Sequence, residues 1–189
     1  QYRMRRLWEG GLAVLQETDA HSLHVLFLEA EAQQLLLDTI APIEELPSPH
    51  PRLSFQYHWQ QEGLSDFDEW LSLFRSSERK KTRKERRRAQ ATVDTIRWIQ
   101  GAELSDKHIN VLWSLYQDTC ARKWGQPYLQ RGFFEALCGP LAELTWVCVA
   151  EINGETEAMS LFFQRGKHLY GRYWGCRSTN DGLHFELCY

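Results

Sequence analysis

The chain has 189 residues, 43% hydrophobic and 13% aromatic, enough to bury a sizeable core and too apolar for a disordered protein. Its 22 Lys+Arg stand against 25 Asp+Glu, with a pI near 6.2, which argues against a protein that binds nucleic acid over its whole surface. No apolar run approaches the roughly 18 residues that cross a bilayer, and QYRMRRLWEGG lacks the apolar segment of a secretory signal, so the expectation is a soluble, cytoplasmic protein without a transmembrane segment.

In chain order, Leu7, Trp8, Leu12, Val14 and Leu15 predict an amphipathic helix over Arg5–Asp19. SLHVLF, Ser22 to Phe27, reads as a short strand, and EAEAQQLLLD, Glu29 to Asp38, as a helix. The prolines between Pro47 and Pro51 force a loop. After it RLSFQYHWQ alternates Leu53, Phe55, Tyr57 and Trp59 with polar residues, the period of a half-buried strand.

Ser65, with Asp68 three residues on, gives a capping signal for a helix starting at Asp66 with Phe67, Trp70, Leu71 and Phe74 at helical spacing. That helix, or a second one after a kink at Ser76 and Ser77, carries eight bases and one acid between Arg79 and Arg88. Without those nine residues the rest of the chain has 14 bases against 24 acids, so the positive charge is gathered in one place. At about 100° per residue, Arg79, Arg83, Arg86 and Arg87 fall on one face.

TIRWIQG reads as a strand, and SDKHINVLWSLYQDTCARKW as a helix capped by Ser105, with Ile109, Leu112, Trp113, Tyr116 and Cys120 in one apolar stripe. Gln130 to Cys138 is another helix, closed by Gly139 and Pro140. TWVCVAEI and TEAMSLFFQ flank Asn153-Gly154, a strong signal for a two-residue hairpin, and a turn at Gly166-Lys167 leads into HLYGRYWG. The three strands predict an antiparallel meander whose last strand places Tyr170, Arg172 and Trp174 on one face. Gly171 and Gly175 within it mark a bulge or a close approach. LHFELCY suits helix or strand; as a helix it is capped by Asn180 or Asp181.

The five cysteines are odd in number and form no C-x-x-C pair, so a disulfide framework or a zinc site is not expected; they read as reduced, mostly buried thiols. The expectation is that no metal takes part.

The strings FQYHW, FDEWLSLFRSSERKKTRKERR, KWGQPYL, HLYGRYWGCR and LHFELCY, in this order and spacing, resemble the FemAB-like branch of the GNAT acyltransferase superfamily, over roughly Ser22 to Tyr189. The resemblance implies an α/β fold: a GNAT-like mixed sheet with helices on both faces, in the tandem arrangement of Fem-type enzymes. Residues 1–64 would be the closing elements of a first GNAT-like half, 65–94 a basic connecting helix, and 95–189 the opening elements of a second half. Elements before Gln1 and beyond Tyr189 are also implied, so the sequence reads as incomplete at both ends.

The implied activity is transfer of an acyl or aminoacyl group to an amine, with a peptidoglycan precursor as a candidate acceptor and acyl-CoA or aminoacyl-tRNA as the donor. GNAT enzymes that use acetyl-CoA carry a glycine-rich loop after the third strand of the meander that cradles pyrophosphate. Here CRSTNDGLH has a single glycine, which leaves the donor undecided.

Acyl transfer to an amine needs a proton acceptor and donors aimed at the developing oxyanion. Tyr170, Arg172, His184 and Glu186 are the catalytic candidates. As a strand, LHFELCY puts His184 and Glu186 on one face; as a helix it sets them about 200° apart. Lys80, Arg83, Lys84 and Arg87 are candidates for the phosphates of an anionic substrate, tRNA among them, because eight like charges along one run repel one another. Lys123, Trp124 and Tyr173 are candidates beside the acceptor. The competing class is a non-catalytic RNA- or anion-binding module built on the Arg79–Arg88 run. Base stacking by such a module would need aromatics among the charges, and none lies between Arg79 and Ala91.

Overall fold

The computed structural model describes residues 2–41, 49–53, 55, 57–61, 63–123, 125–178 and 182–189, in two compact units, 1–60 and 61–189. The first holds two helices, α1 (Tyr2–Glu17) and α2 (Ala30–Ile40). Helix α1 runs straight through Gly10 and Gly11 and buries no residue; α2 buries Leu36 and Ile40.

The strands expected in this unit do not form among the described residues. Ser22 to Phe27 is irregular, with Phe27 at φ 60°, and Leu23, Val25, Leu26 and Phe27 are exposed. The described part of RLSFQYHWQ is irregular as well, and Leu53, Phe55, Tyr57 and Trp59 all face solvent. Alternation selects a face, but a strand also needs a neighbour to take its backbone hydrogen bonds, and these segments pair with none. His50 to Leu53 is irregular, in keeping with the expected loop; Pro47 and Ser48 lie outside the described residues.

The second unit begins with α3 (Phe67–Ser72) and α4 (Ser76–Gln90). The cap of α3 is Asp66, whose side chain accepts from the Glu69 amide at 2.8 Å, while Glu69 Oε2 accepts from the Ser65 amide and hydroxyl. The cap expected at Ser65 is thus displaced by one residue, because the Asp66 side-chain oxygen competes well for the free amides. The basic run falls on α4, a second helix.

The sheet follows: β1 (Thr95–Gln100), a 3-10 turn (Gly101–Glu103), α5 (Asp106–Arg122), α6 (Arg131–Ala136), β2 (Thr145–Ile152), β3 (Glu155–Arg165), β4 (His168–Cys176) and α7 (Leu183–Cys188). Strand order is β1-β2-β3-β4 and every pairing is antiparallel. The expected meander is therefore extended at one edge by β1, and the parallel pairing of a mixed sheet does not occur among the described strands. Asn153 and Gly154, both at positive φ, make the β2–β3 turn.

Helices cover both faces. On one, Ile109, Leu112, Leu115 and Tyr116 of α5, with Phe134 of α6 and Leu137, pack on Ile99, Val147, Val149, Met159 and Leu161. On the other, Leu183 and Leu187 of α7 pack on Cys148, Ala150, Ala158, Phe162 and Cys176. LHFELCY is a helix because Leu183 and Leu187, one turn apart, both find that apolar face. The Asn180 and Asp181 caps lie outside the described residues; the position before α7 is Gly182 at φ 84°. Helix α6 stops at Ala136, short of Gly139 and Pro140.

Candidate functional site

Helix α4 presents two different faces. Its inner face rests on α7 through Ala89, which is buried. Beside Ala89, Arg86 Nε and Nη2 donate to Glu186 Oε2 and Oε1 at 2.9 and 2.7 Å, and Gln90 Nε2 donates to Oε1 at 2.7 Å. The Glu186 side chain is only 8% exposed. Burial pushes its carboxyl upward, yet the hydrogen bonds from Arg86 and Gln90 and the Arg86 charge outweigh burial and hold it below the ordinary carboxylate value. The Arg86 guanidinium lies 3.9 Å from the centre of the Phe67 ring, so α3, α4 and α7 share one clamp.

The outer face carries Lys80, Arg83, Lys84 and Arg87, all exposed and within about 100° of arc. Only Arg83 is drawn inward, donating to Asp68 Oδ1 at 3.0 Å, an exposed pair worth about 0–1 kcal/mol. Between α3 and α4 opens a cleft of about 450 Å³, lined by Asp66, Phe67, Asp68, Leu71, Arg83, Arg86, Arg87 and Gln90.

On the opposite side of α7 from Glu186, His184 stands half-buried. Its ring meets Trp174 edge-on at 5.2 Å and has Tyr189 at 5.8 Å. Burial, with a smaller push from the Lys123 charge, lowers its pKa, so the imidazole is neutral at neutral pH. Lys123 is exposed at the C-terminal end of α5. Trp124 lies outside the described residues.

The last strand is broken in its alternation. Leu161 pairs with Tyr173 but Phe162 pairs with Gly171, leaving Arg172 as an extra residue, a β-bulge. Tyr170 and Tyr173 therefore lie toward the α5 face with their partners Phe163 and Leu161, while Trp174, opposite Ser160, lies toward α7. The single face expected for Tyr170, Arg172 and Trp174 does not exist, because one inserted residue reverses the parity of everything after it. Gly175 marks the expected close approach: a Cβ there would sit 2.6 Å from Leu115 Cβ of α5.

The bulge delivers Arg172 to a tyrosine cluster. Arg172 Nη2 donates to the Tyr128 hydroxyl at 2.8 Å, its guanidinium lies 4.6 Å from the Tyr173 ring centre, and the Tyr128 and Tyr173 hydroxyls are hydrogen-bonded. Tyr116 Oη accepts from the Tyr128 and Leu129 amides, both at 3.1 Å, pinning the KWGQPYL loop. Burial and the Tyr128 hydroxyl raise the Tyr173 phenol, so it stays protonated.

The named candidates thus fall into two groups. His184 and Glu186 share α7, with Arg83 and Arg87 on the α4 that packs against it; Tyr170, Arg172 and Tyr173 gather on the α5 side of β4. Phe67, Asp68, Trp174, Tyr116 and Tyr128 complete these groups. In the sequence they signalled only helix starts, core or loop, because their contacts join positions up to 100 residues apart, as with Arg86 and Glu186.

All five thiols are free; Cys148 and Cys176 are buried, and Cys138 is exposed. Burial pushes Cys148 up to about 12 and Cys188 to about 11, values that suppress thiolate chemistry. Among the described residues no three His, Cys, Asp or Glu side chains cluster as a metal site requires, and no helix is long and apolar enough to cross a membrane.

No curated protein matches the chain. A family model described as peptidoglycan biosynthesis/recognition, FemAB-like, matches residues 1–189. The chain, an α/β protein whose antiparallel sheet is covered by helices on both faces, belongs to the FemAB-like family.

Proposed function

We propose that the protein is an acyl- or aminoacyltransferase that acts on an amine of a peptidoglycan precursor. The observation that carries this is His184, a neutral imidazole held against Trp174 on the same short helix whose Glu186 fastens the basic α4. A neutral base is what deprotonation of an attacking ammonium requires, and the cationic outer face of the α4 that packs on the other side of α7 suits a phosphate-bearing donor or acceptor. In this reading His184 accepts the proton, Lys80, Arg83, Lys84 and Arg87 hold phosphate, and Glu186 serves as the anchor of α4. Arg172 and the Tyr128 and Tyr173 hydroxyls supply hydrogen-bond donors for a carbonyl or carboxylate, with Tyr170 and Lys123 at the margin.

The donor is acyl-CoA or aminoacyl-tRNA, and both place the reaction in the cytoplasm. The tandem division, with residues 1–64 closing one half and 95–189 opening another, belongs to the same proposal.

The test is transfer from each donor to a muropeptide with a free amine, followed by mass spectrometry. Transfer that falls on the order of 10²–10⁴-fold in His184→Gln supports the reading. No product from either donor overturns it. Salt-dependent tRNA binding that is unchanged in an Arg83→Ala/Arg87→Ala variant would remove phosphate contact from α4. Tight, salt-dependent RNA binding without transfer would favour the non-catalytic module.

A further inference from the structure

The α3–α4 cleft has a mixed wall that a simple polyanion does not explain. Arg83, Arg86 and Arg87 line it, but so do Asp66 and Asp68, and two carboxylates beside a bare phosphate would repel it. Three features narrow the choice of ligand. First, the Arg86 guanidinium is planar, clamped by Glu186 and seated on the Phe67 ring, with its side chain still 37% exposed. An immobilised guanidinium on an aromatic ring is a stacking platform for a flat heterocycle.

Second, Asp68 spends Oδ1 on Arg83, while among the described residues its Oδ2 accepts no hydrogen bond. A spare carboxylate oxygen is the acceptor that a ribose hydroxyl uses. Third, Arg87 makes no ion pair among the described residues and is exposed one turn from Arg83, on the face where a phosphate would neutralise the crowded charge. The cleft volume of about 450 Å³ lies within the ordinary range for small-molecule sites.

We infer that this cleft is a nucleotide site: base on the Phe67–Arg86 pair, ribose hydroxyl on Asp68, phosphate on Arg87 and Arg83. As the handle of an acyl donor it rests on the transferase reading, since CoA and the 3′ end of tRNA both present an adenine nucleotide; the binding itself is independent of it.

The experiment is an NMR titration of the full chain, following the arginine Nε signals, with AMP, adenosine and inorganic pyrophosphate. AMP is expected to bind at least about tenfold more tightly than either part, since base and phosphate contacts add (about 1.4 kcal/mol per tenfold). Phe67→Leu is expected to weaken AMP about fivefold or more while leaving pyrophosphate unchanged. Arg87→Gln, on the exposed surface, is expected to weaken both and serves where Phe67→Leu unfolds the chain. Pyrophosphate binding as tightly as AMP, or AMP binding indifferent to both substitutions, overturns the site.

Displacement of AMP by CoA or by the trinucleotide CCA supports the cleft as the handle of an acyl donor and names the donor; displacement by neither overturns that role. Transfer that persists without AMP binding would refute this site alone, and AMP binding without transfer would refute the transferase reading alone.

Discussion

The two faces of the sheet are built from different materials. Under α5 and α6 the core contacts are aromatic: Tyr116, Phe134, Trp113 and Tyr173 interlock, with Phe134 wholly buried. Under α7 the apolar layer is one short helix of Leu183 and Leu187, and the next layer, α4, is fastened by the Arg86–Glu186–Gln90 hydrogen bonds. Burial area holds the first face and is indifferent to pH and salt. Charge pairing holds the second and is sensitive to both. The difference explains how a helix with eight bases between Arg79 and Arg88 docks by one contact: the buried Glu186 carboxylate takes the Arg86 guanidinium, while Lys80, Lys84 and Arg87 stay exposed on the outer face.

Three substitutions test the contrast. Phe134→Ala, on the aromatic face, is expected to have the largest effect, about 3–5 kcal/mol of stability from lost transfer energy and a residual cavity. Urea unfolding should show that loss equally at low and high salt.

Glu186→Gln is expected to cost about 1–2 kcal/mol, discounted because Arg86 is partly exposed. Since the Glu186 carboxyl titrates below its ordinary value, its contribution is full above pH about 4.3 and is lost as pH falls through the folded value. The variant should lack that part of the acid slope in thermal melts. An unchanged slope would mean that Glu186 does not anchor α4.

The smallest effect is expected at His108, whose Nδ1 accepts from the Ser105 amide at the start of α5. Burial, then the Arg97 charge, depress its pKa. Its contribution is therefore complete above about pH 6.5 and is lost as pH falls through the folded value. His108→Gln should cost about 0.5–1 kcal/mol at neutral pH, as a weakened cap does, and flatten the stability profile below pH 6.5.

Local chemistry was legible in the sequence wherever it was also sufficient. Asn153-Gly154 forced its turn and Ser105 its cap, while the stripe from Ile109 to Tyr116 found the sheet. TIRWIQ and SLHVLF show the limit. Both read as strands, but only the first meets a partner, β2, and nothing within six residues reveals that.

The candidate site was legible in its residue types and not in its grouping. The basic run, Arg172 and His184 stood out as chemistry, and the glycines warned of a bulge, but neither its position nor its effect on parity could be read. Partnerships such as Arg86 with Glu186, or Tyr128 with Tyr173, exist only after the chain has folded back on itself.

The bulge at Arg172 also sets a rule for how this strand can tolerate change. Because Arg172 stands outside the ladder, with Gly171 paired to Phe162 and Tyr173 to Leu161, its removal would join Gly171 to Tyr173 in regular alternation and leave Tyr170 and Tyr173 on the α5 side and Trp174 on the α7 side. Only the side chain that reaches Tyr128 would be lost. A single deletion or insertion anywhere else in β4 would exchange the faces of all residues beyond it, so the bulge is the one place where this strand can change length by one residue and keep its pattern.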